Sequence, residues 1–124
     1  MNDKSKYNID PEIKFGYTEL IDIPELIRSC TDKWTNHTLC QVNESVVRLG
    51  VVQGEFHWHK HDDEDEYFLV LDGELLLDLE GDKSYKLVKH QCITVPMGVT
   101  HRTRAKKRTA ILMIERKGVK ATGD

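Results

Sequence analysis

Across residues 45–115 apolar and polar side chains alternate with a period of two, in short runs separated by turn residues, and such runs build β-strands. Residues 38–42 predict a strand closed by Asn43-Glu44. Residues 45–52 put Val47, Leu49 and Val51 on one face and Arg48 on the other, and the apolar face is expected to point inward. Residues 66–71 and 74–79 alternate again, with Leu75, Leu77 and Leu79 expected inward in the second run. Asp72-Gly73 between these runs predicts a two-residue hairpin, because a type I′ turn needs positive φ at both central residues. Further strands are expected at 84–88, 91–95, 99–103 and 109–115, with Pro96-Met97-Gly98 as a tight turn. About eight or nine short strands, spaced by about 8–12 residues with turn chemistry between them, predict an all-β sandwich or barrel.

The rest of the chain adds one helix and no second domain. At 124 residues the protein can bury one core. Residues 1–30 predict an N-terminal arm carrying Tyr7, Phe15 and Tyr17, followed by one or two helical turns at 22–28. There Pro24 suits the first turn and Glu25 the positive end of the helix dipole. Residues 31–116 make the barrel, and 117–124 are a polar tail expected to fray. A net charge of −3 argues against a nucleic-acid partner. No segment approaches the length of a membrane span, and no apolar run follows the first residues as a signal peptide requires. Cys30, Cys40 and Cys92 are odd in number and in no CxxC pair, which suits a reducing, cytoplasmic compartment.

The chemistry concentrates in residues 54–73, GEFHWHKHDDEDEYFLVLDG. In an extended strand His57, His59 and His61 share one face while Phe56, Trp58 and Lys60 take the other. Several imidazoles converging on one side, with a carboxylate a few residues on, are what a divalent transition metal needs. His59 and His61, Glu66 and Gly73 read HxHx4Ex6G, and Pro96, Gly98 and His101 read PxGx2H. These two motifs, in this order, resemble those of the cupin superfamily. The resemblance implies a double-stranded β-helix, or jelly-roll barrel, with one short N-terminal helix here. It also implies that His59, His61, Glu66 and His101 hold one divalent metal (Fe, Mn, Ni or Zn). Gly54 stands closer to the first ligand than the family pattern has it, and His90 and Ala105 replace its usual Gly and Asn; none of these is a ligand. Pairing His57 with His59 instead would move the carboxylate to Glu64 and put Leu71 at the glycine position, losing the turn.

His57 lies one strand step from His59 and is a candidate general acid/base or substrate contact, against the plainer role of a histidine bonded to a neighbouring strand. Thr103, with the parity of His101, is a candidate for the pocket wall; His37 and His90 read as surface or turn residues. Asp62-Asp63-Glu64-Asp65 reads as a solvated acidic loop at the barrel rim, and Arg102 and Arg104 should face outward. Two functions follow. A His3Glu metal open at one to three positions suits an enzyme acting on a small carbonyl, sugar-like or carboxylate substrate, and the resemblance implies an isomerase, dioxygenase or decarboxylase. The alternative is a module that binds metal and a small ligand without turnover. The resemblance also implies a homodimer, to which the arm could supply an exchanged strand or an edge cover.

Overall fold

The computed structural model describes residues 6–123. Its elements are β1 (Asn8–Asp10), α1 (Ile23–Ser29), β2 (Trp34–Val42), β3 (Ser45–Glu55), β4 (Glu66–Asp72), β5 (Glu74–Leu79), β6 (Lys83–Val88), β7 (Cys92–Val95) and β8 (His101–Arg116). All pairings are antiparallel except that of β1 with β2. The main sheet runs β1-β2-β3-β8-β4-β7, and the β5–β6 hairpin joins it through β8. β8 therefore serves both layers of a jelly-roll: residues 101–104 pair with β5 and residues 110–114 with β4, while β3 pairs with both parts of β8. The sheet does not close on itself.

The strands expected at 99–103 and 109–115 are one strand. Between the Val52–Thr109 and Gly54–Ala105 pairs the register shifts, and the exposed residues 106–108 bulge outward without ending the extended conformation. The hairpin expected at Asp72-Gly73 is absent. β4 pairs with β7 and β8 and β5 with β6 and β8, so the chain crosses here from one layer to the other. Of the two residues only Gly73 has positive φ, at 90°. A Cβ on Gly73 would lie 2.6 Å from Thr109 Oγ1, and that hydroxyl accepts from Glu74 N and donates to Glu74 O, each at 3.1 Å. Close approach, as much as turn type, calls for glycine at this corner.

The two faces of β3 are the reverse of expectation. Leu49 and Val51 lie on the outer face with Leu39, under Phe15, Ile21, Ile23, Leu26 and Ile27. The interior contains Val52, Phe68, Val70, Leu75, Leu77, Ile111 and Met113, and Arg48 shares the parity of Val52. The sheet is covered on both sides, so alternation marks two buried faces and does not say which encloses the barrel. Gly50 accommodates this: a Cβ there would meet Ile111 Cγ1 at 2.9 Å. Leu75 and Leu77 point inward as expected, and Leu79 packs against the same core.

α1 forms the outer cover. Asp22 caps it, its Oδ1 accepting from Glu25 N at 3.2 Å, with Pro24 in the first turn. Arg108 donates to Ile27 O and Cys30 O, both at 2.7 Å, at the helix end, where Ile27 O also accepts from Cys30 N at 3.2 Å. In the arm, β1 covers the edge of β2 of the same chain, and Tyr7 packs edge-on against Trp34 and Phe56. Residues 1–5 of the arm lie outside the described residues. No helix of the described residues is long and apolar enough to cross a membrane.

The C-terminal segment, expected to fray, folds back across the open end of the barrel. Lys117 N donates to Glu44 O at 2.8 Å, Arg48 Nη2 donates to Val119 O at 2.9 Å, and Gly123 lies against His59. A buried guanidinium at the barrel mouth supplies the anchor that composition does not reveal.

Candidate metal centre

After β3 the backbone leaves the ladder, and residues 56–65 form no named strand. An isolated bridge holds this loop: His59 N donates to His101 O at 2.9 Å and His101 N to His59 O at 2.8 Å. Gly98 N donates to His61 O at 2.7 Å, tying the Pro96-Met97-Gly98 turn to the same loop. Glu66 opens β4 and His101 opens β8. The two motifs thus meet at one end of the barrel.

One possible ligand atom from each of His59, His61, Glu66 and His101 lies within 4.8 Å of the others. His61, Glu66 and His101 are buried, at 2%, 5% and 1% exposure, and His59 is half-buried. His101 Nδ1 donates to Val99 O at 2.9 Å and His59 Nδ1 to His57 O at 3.0 Å. A carbonyl can only accept, so these bonds protonate Nδ1 and leave each Nε2 for a metal. His101 Nε2 and His61 Nε2 lie 3.1 and 3.2 Å from Glu66 Oε1. The His61 contact lacks hydrogen-bond alignment, so both its ring nitrogens are buried without a partner. A cation at the centre of the cluster would satisfy an orphaned His61 nitrogen, and three imidazoles with one carboxylate are a donor set that could hold a divalent transition metal.

The electrostatics suit a cation. Burial lowers the His59 pKa to about 4, so this imidazole is neutral at physiological pH. Burial disfavours charge on Glu66, but its contacts with His101 and His61 outweigh that and hold the carboxyl well below its usual range. Burial also opposes charge on His101, yet Glu66 and the Val99 carbonyl raise its pKa above the ordinary value.

Thr103 is buried and lines the chamber beside His59 and Glu66, as expected. His57 does not join the cluster. Its ring stacks on Phe56, centroids 4.3 Å apart, and its Nε2 donates to Thr122 O at 2.8 Å. Phe56, expected on the opposite face from His59, instead enters the interior beside it, because the strict alternation ends where the ladder does. His37 is half-buried near Asn8, and His90 lies in a turn with φ 73°.

The acidic loop is tied down: Asp65 Oδ1 accepts from Met97 N at 2.9 Å, and Glu64 pairs with Arg116 at 3.1 Å. Arg102 and Arg104 face away from the cluster, as expected, and both pair with Asp78 on β5, at 2.9 and 2.7 Å.

Sequence reasoning missed one buried pair. Arg48 donates through Nε to Thr38 Oγ1 at 3.1 Å and through Nη1 to Glu115 Oε1, both inside the mouth. Burial, then the nearby Glu66, push the Glu115 carboxyl up against the pull of Arg48. The available signal was parity: Arg48 pairs with Met113, and Glu115 shares the Met113 face.

Comparison with known proteins agrees with this geometry. The family model described as a Cupin domain matches residues 45–115. The chain is similar to an uncharacterized protein of Bacillus subtilis, YdbB, at 42% identity over 86 residues, covering 69% of this chain and 76% of that protein. A crystal structure of a cupin-2 domain containing protein from Shewanella frigidimarina superposes with a TM-score of 0.73 at 29% identity, covering 78% of this chain and 94% of that one. A Neisseria meningitidis protein, NMB1881, superposes with a TM-score of 0.71 at 20% identity, covering 79% and 99%.

Proposed function

The chain belongs to the cupin superfamily, and from that premise we propose that it is a metal-dependent enzyme acting on a small carbonyl, sugar-like or carboxylate substrate at a His3Glu centre. One observation carries the reading: four ligand atoms converge within 4.8 Å while the buried His61 nitrogens lack any hydrogen-bond partner. A divalent ion held there would supply Lewis-acid polarisation to a substrate oxygen. The chain itself orients two imidazoles through the Val99 and His57 carbonyls, keeps His59 neutral, and walls the chamber with Phe68, Thr103 and Met113. The same class of site hosts Fe, Mn, Ni and Zn, and the donor set alone does not choose among them.

The test is metal content after purification and after loading, in the wild type and in His101→Ala and Glu66→Ala variants. Loss of bound metal in both is expected, and full occupancy in both would remove the four-ligand assignment. A panel of small carbonyl compounds, followed for O2 uptake and isomer formation with each metal, then reads turnover.

A second reading, a binding module without turnover, is favoured by the position of His57. This candidate acid/base is held by the Thr122 carbonyl and does not face the cluster. Ligand binding with no turnover for any metal supports that reading.

A further inference from the structure

The chamber beside His59 and Glu66 has a volume of about 30 Å³, room for a water but not for a substrate. Outside it lies a groove of about 1740 Å³ between the arm, β2 and the C-terminal segment. Trp34, Asn36 and Ala121 line both spaces. Trp34 and Asn36 belong to β2, so among the described residues the part of the partition outside the sheet is Ala121.

The segment around Ala121 is held through its main-chain oxygens. Arg48 Nη2 donates to Val119 O at 2.9 Å, and His57 Nε2 donates to Thr122 O at 2.8 Å. Both donors stay in place if the segment leaves, and each then needs an acceptor oxygen. Asn36 Oδ1 is buried beside them with no partner, a position for a hydroxyl donor. The groove is also cationic: Lys6, Lys33, Arg104, Lys106, Lys117 and Lys120 line it against Asp10, Asp32 and Glu55. Of these cations Arg104 pairs with Asp78, and Lys6 lies over the Tyr7 ring, 5.7 Å from its centroid. Such a field draws in organic anions.

We propose that residues 117–123 are a displaceable plug over the cluster, and that the ligand displacing them is a small hydroxylated organic acid. Its carboxylate replaces the Val119 carbonyl on Arg48, its hydroxyl serves Asn36, and its remaining oxygens reach the cluster. This deepens the proposed function and rests on it for the cluster end alone. Gly123 is the weak point of the plug. It has φ 97°, and a Cβ there would lie 2.6 Å from His59 Cβ, so Gly123→Val forces the segment off without altering Arg48 or any ligand residue.

The experiment uses the full chain, metal-free and zinc-loaded, with malate as the probe. Malamide is the uncharged control and succinate the control without the hydroxyl. Calorimetry gives affinity, and trypsin cleavage after Lys117 and Lys120, followed by mass spectrometry, reports opening. Malate should speed that cleavage in the wild type by about tenfold or more, and malamide should not. Gly123→Val should bind malate about tenfold more tightly, because a closed form no longer competes. Arg48→Gln should abolish this gain. Should that variant fail to fold, Lys33→Glu with Lys106→Glu, both exposed and off the plug, should weaken malate binding and its salt dependence. Succinate should bind less tightly than malate. Malate binding with unchanged cleavage, no malate binding by Gly123→Val, or equal binding of malate and malamide would each overturn the inference. Zinc content separates the two failures. Malate-dependent cleavage in a protein that takes up no zinc keeps the plug and ends the metal reading. Zinc uptake with unchanged cleavage does the opposite.

Discussion

Replacing Arg48 by methionine removes donors to Thr38 Oγ1, Glu115 and the Val119 carbonyl at once. Breaking a buried ion pair from one side costs about 3–5 kcal/mol, because the remaining charge has no counterion. Glu115 avoids part of that cost by keeping its proton: burial, then Glu66, push its carboxyl up to about 9. The expected loss at pH 7 is therefore near the low end, about 3 kcal/mol. An outward, solvated arginine at this position would give a change within about 0.5 kcal/mol. The assay is urea unfolding of the metal-free protein, read at constant m-value. Adding Glu115→Leu should restore much of the loss, since an apolar pair of similar volume leaves no buried carboxyl without a partner. The pH dependence has a definite sign. The folded pKa of Glu115 lies above the ordinary 4.5, so its contribution is full below 4.5 and is lost as pH rises toward about 9. Glu115→Gln should flatten that decline. A loss within 0.5 kcal/mol for Arg48→Met, with an unchanged pH slope in Glu115→Gln, would refute the placement of this pair in the interior.

Leu49→Ala should cost about 2–5 kcal/mol by emptying the layer between sheet and helix, yet leave zinc affinity unchanged, as chelator competition would show. Gly73→Ala should destabilise by about 1 kcal/mol or more in the same unfolding assay, because φ 90° and the Thr109 hydroxyl both oppose a side chain. Zinc affinity should fall as pH drops through the raised His101 pKa, since the ion must displace the proton that His101 shares with Glu66. Calorimetry in buffers of different ionisation enthalpy should then detect proton release at pH 6, and its absence would count against His101 as a ligand.

The cluster is legible in the sequence because its four residues come in two short motifs whose spacing is set by local geometry. His59 and His61 precede Glu66 by one loop, and Pro96-Met97-Gly98 delivers His101 to the start of β8. The helix was legible for a similar reason: Asp22, Pro24 and Glu25 are local signals. What failed was non-local. Alternation in β3 is the same whether Leu49 faces the barrel or a covering helix, and only the partner on the far side decides. Asp72-Gly73 has hairpin chemistry, yet its flanking strands find β8 a better neighbour than each other. The C-terminal segment lacks any pattern of its own, because backbone carbonyls hold it and every residue carries one.

The reversal of β3 bears on chemistry as well as on packing. With Val47, Leu49 and Val51 inside, the cavity would be apolar and would suit a neutral ligand. With Arg48 inside, a chain of ionisable groups runs from the mouth inward: Arg48 to Glu115, Glu115 beside Glu66, Glu66 to His61 and His101. A cation at the cluster would offset the Glu66 charge, which is one of the causes that push the Glu115 carboxyl up. The guanidinium remains held at the far end of that chain, where it meets whatever fills the mouth. Metal uptake and anion capture then draw on neighbouring groups, so altering Arg48 should perturb metal affinity through Glu115. Altering Lys33 or Lys106, which line only the outer groove, should leave metal affinity unchanged.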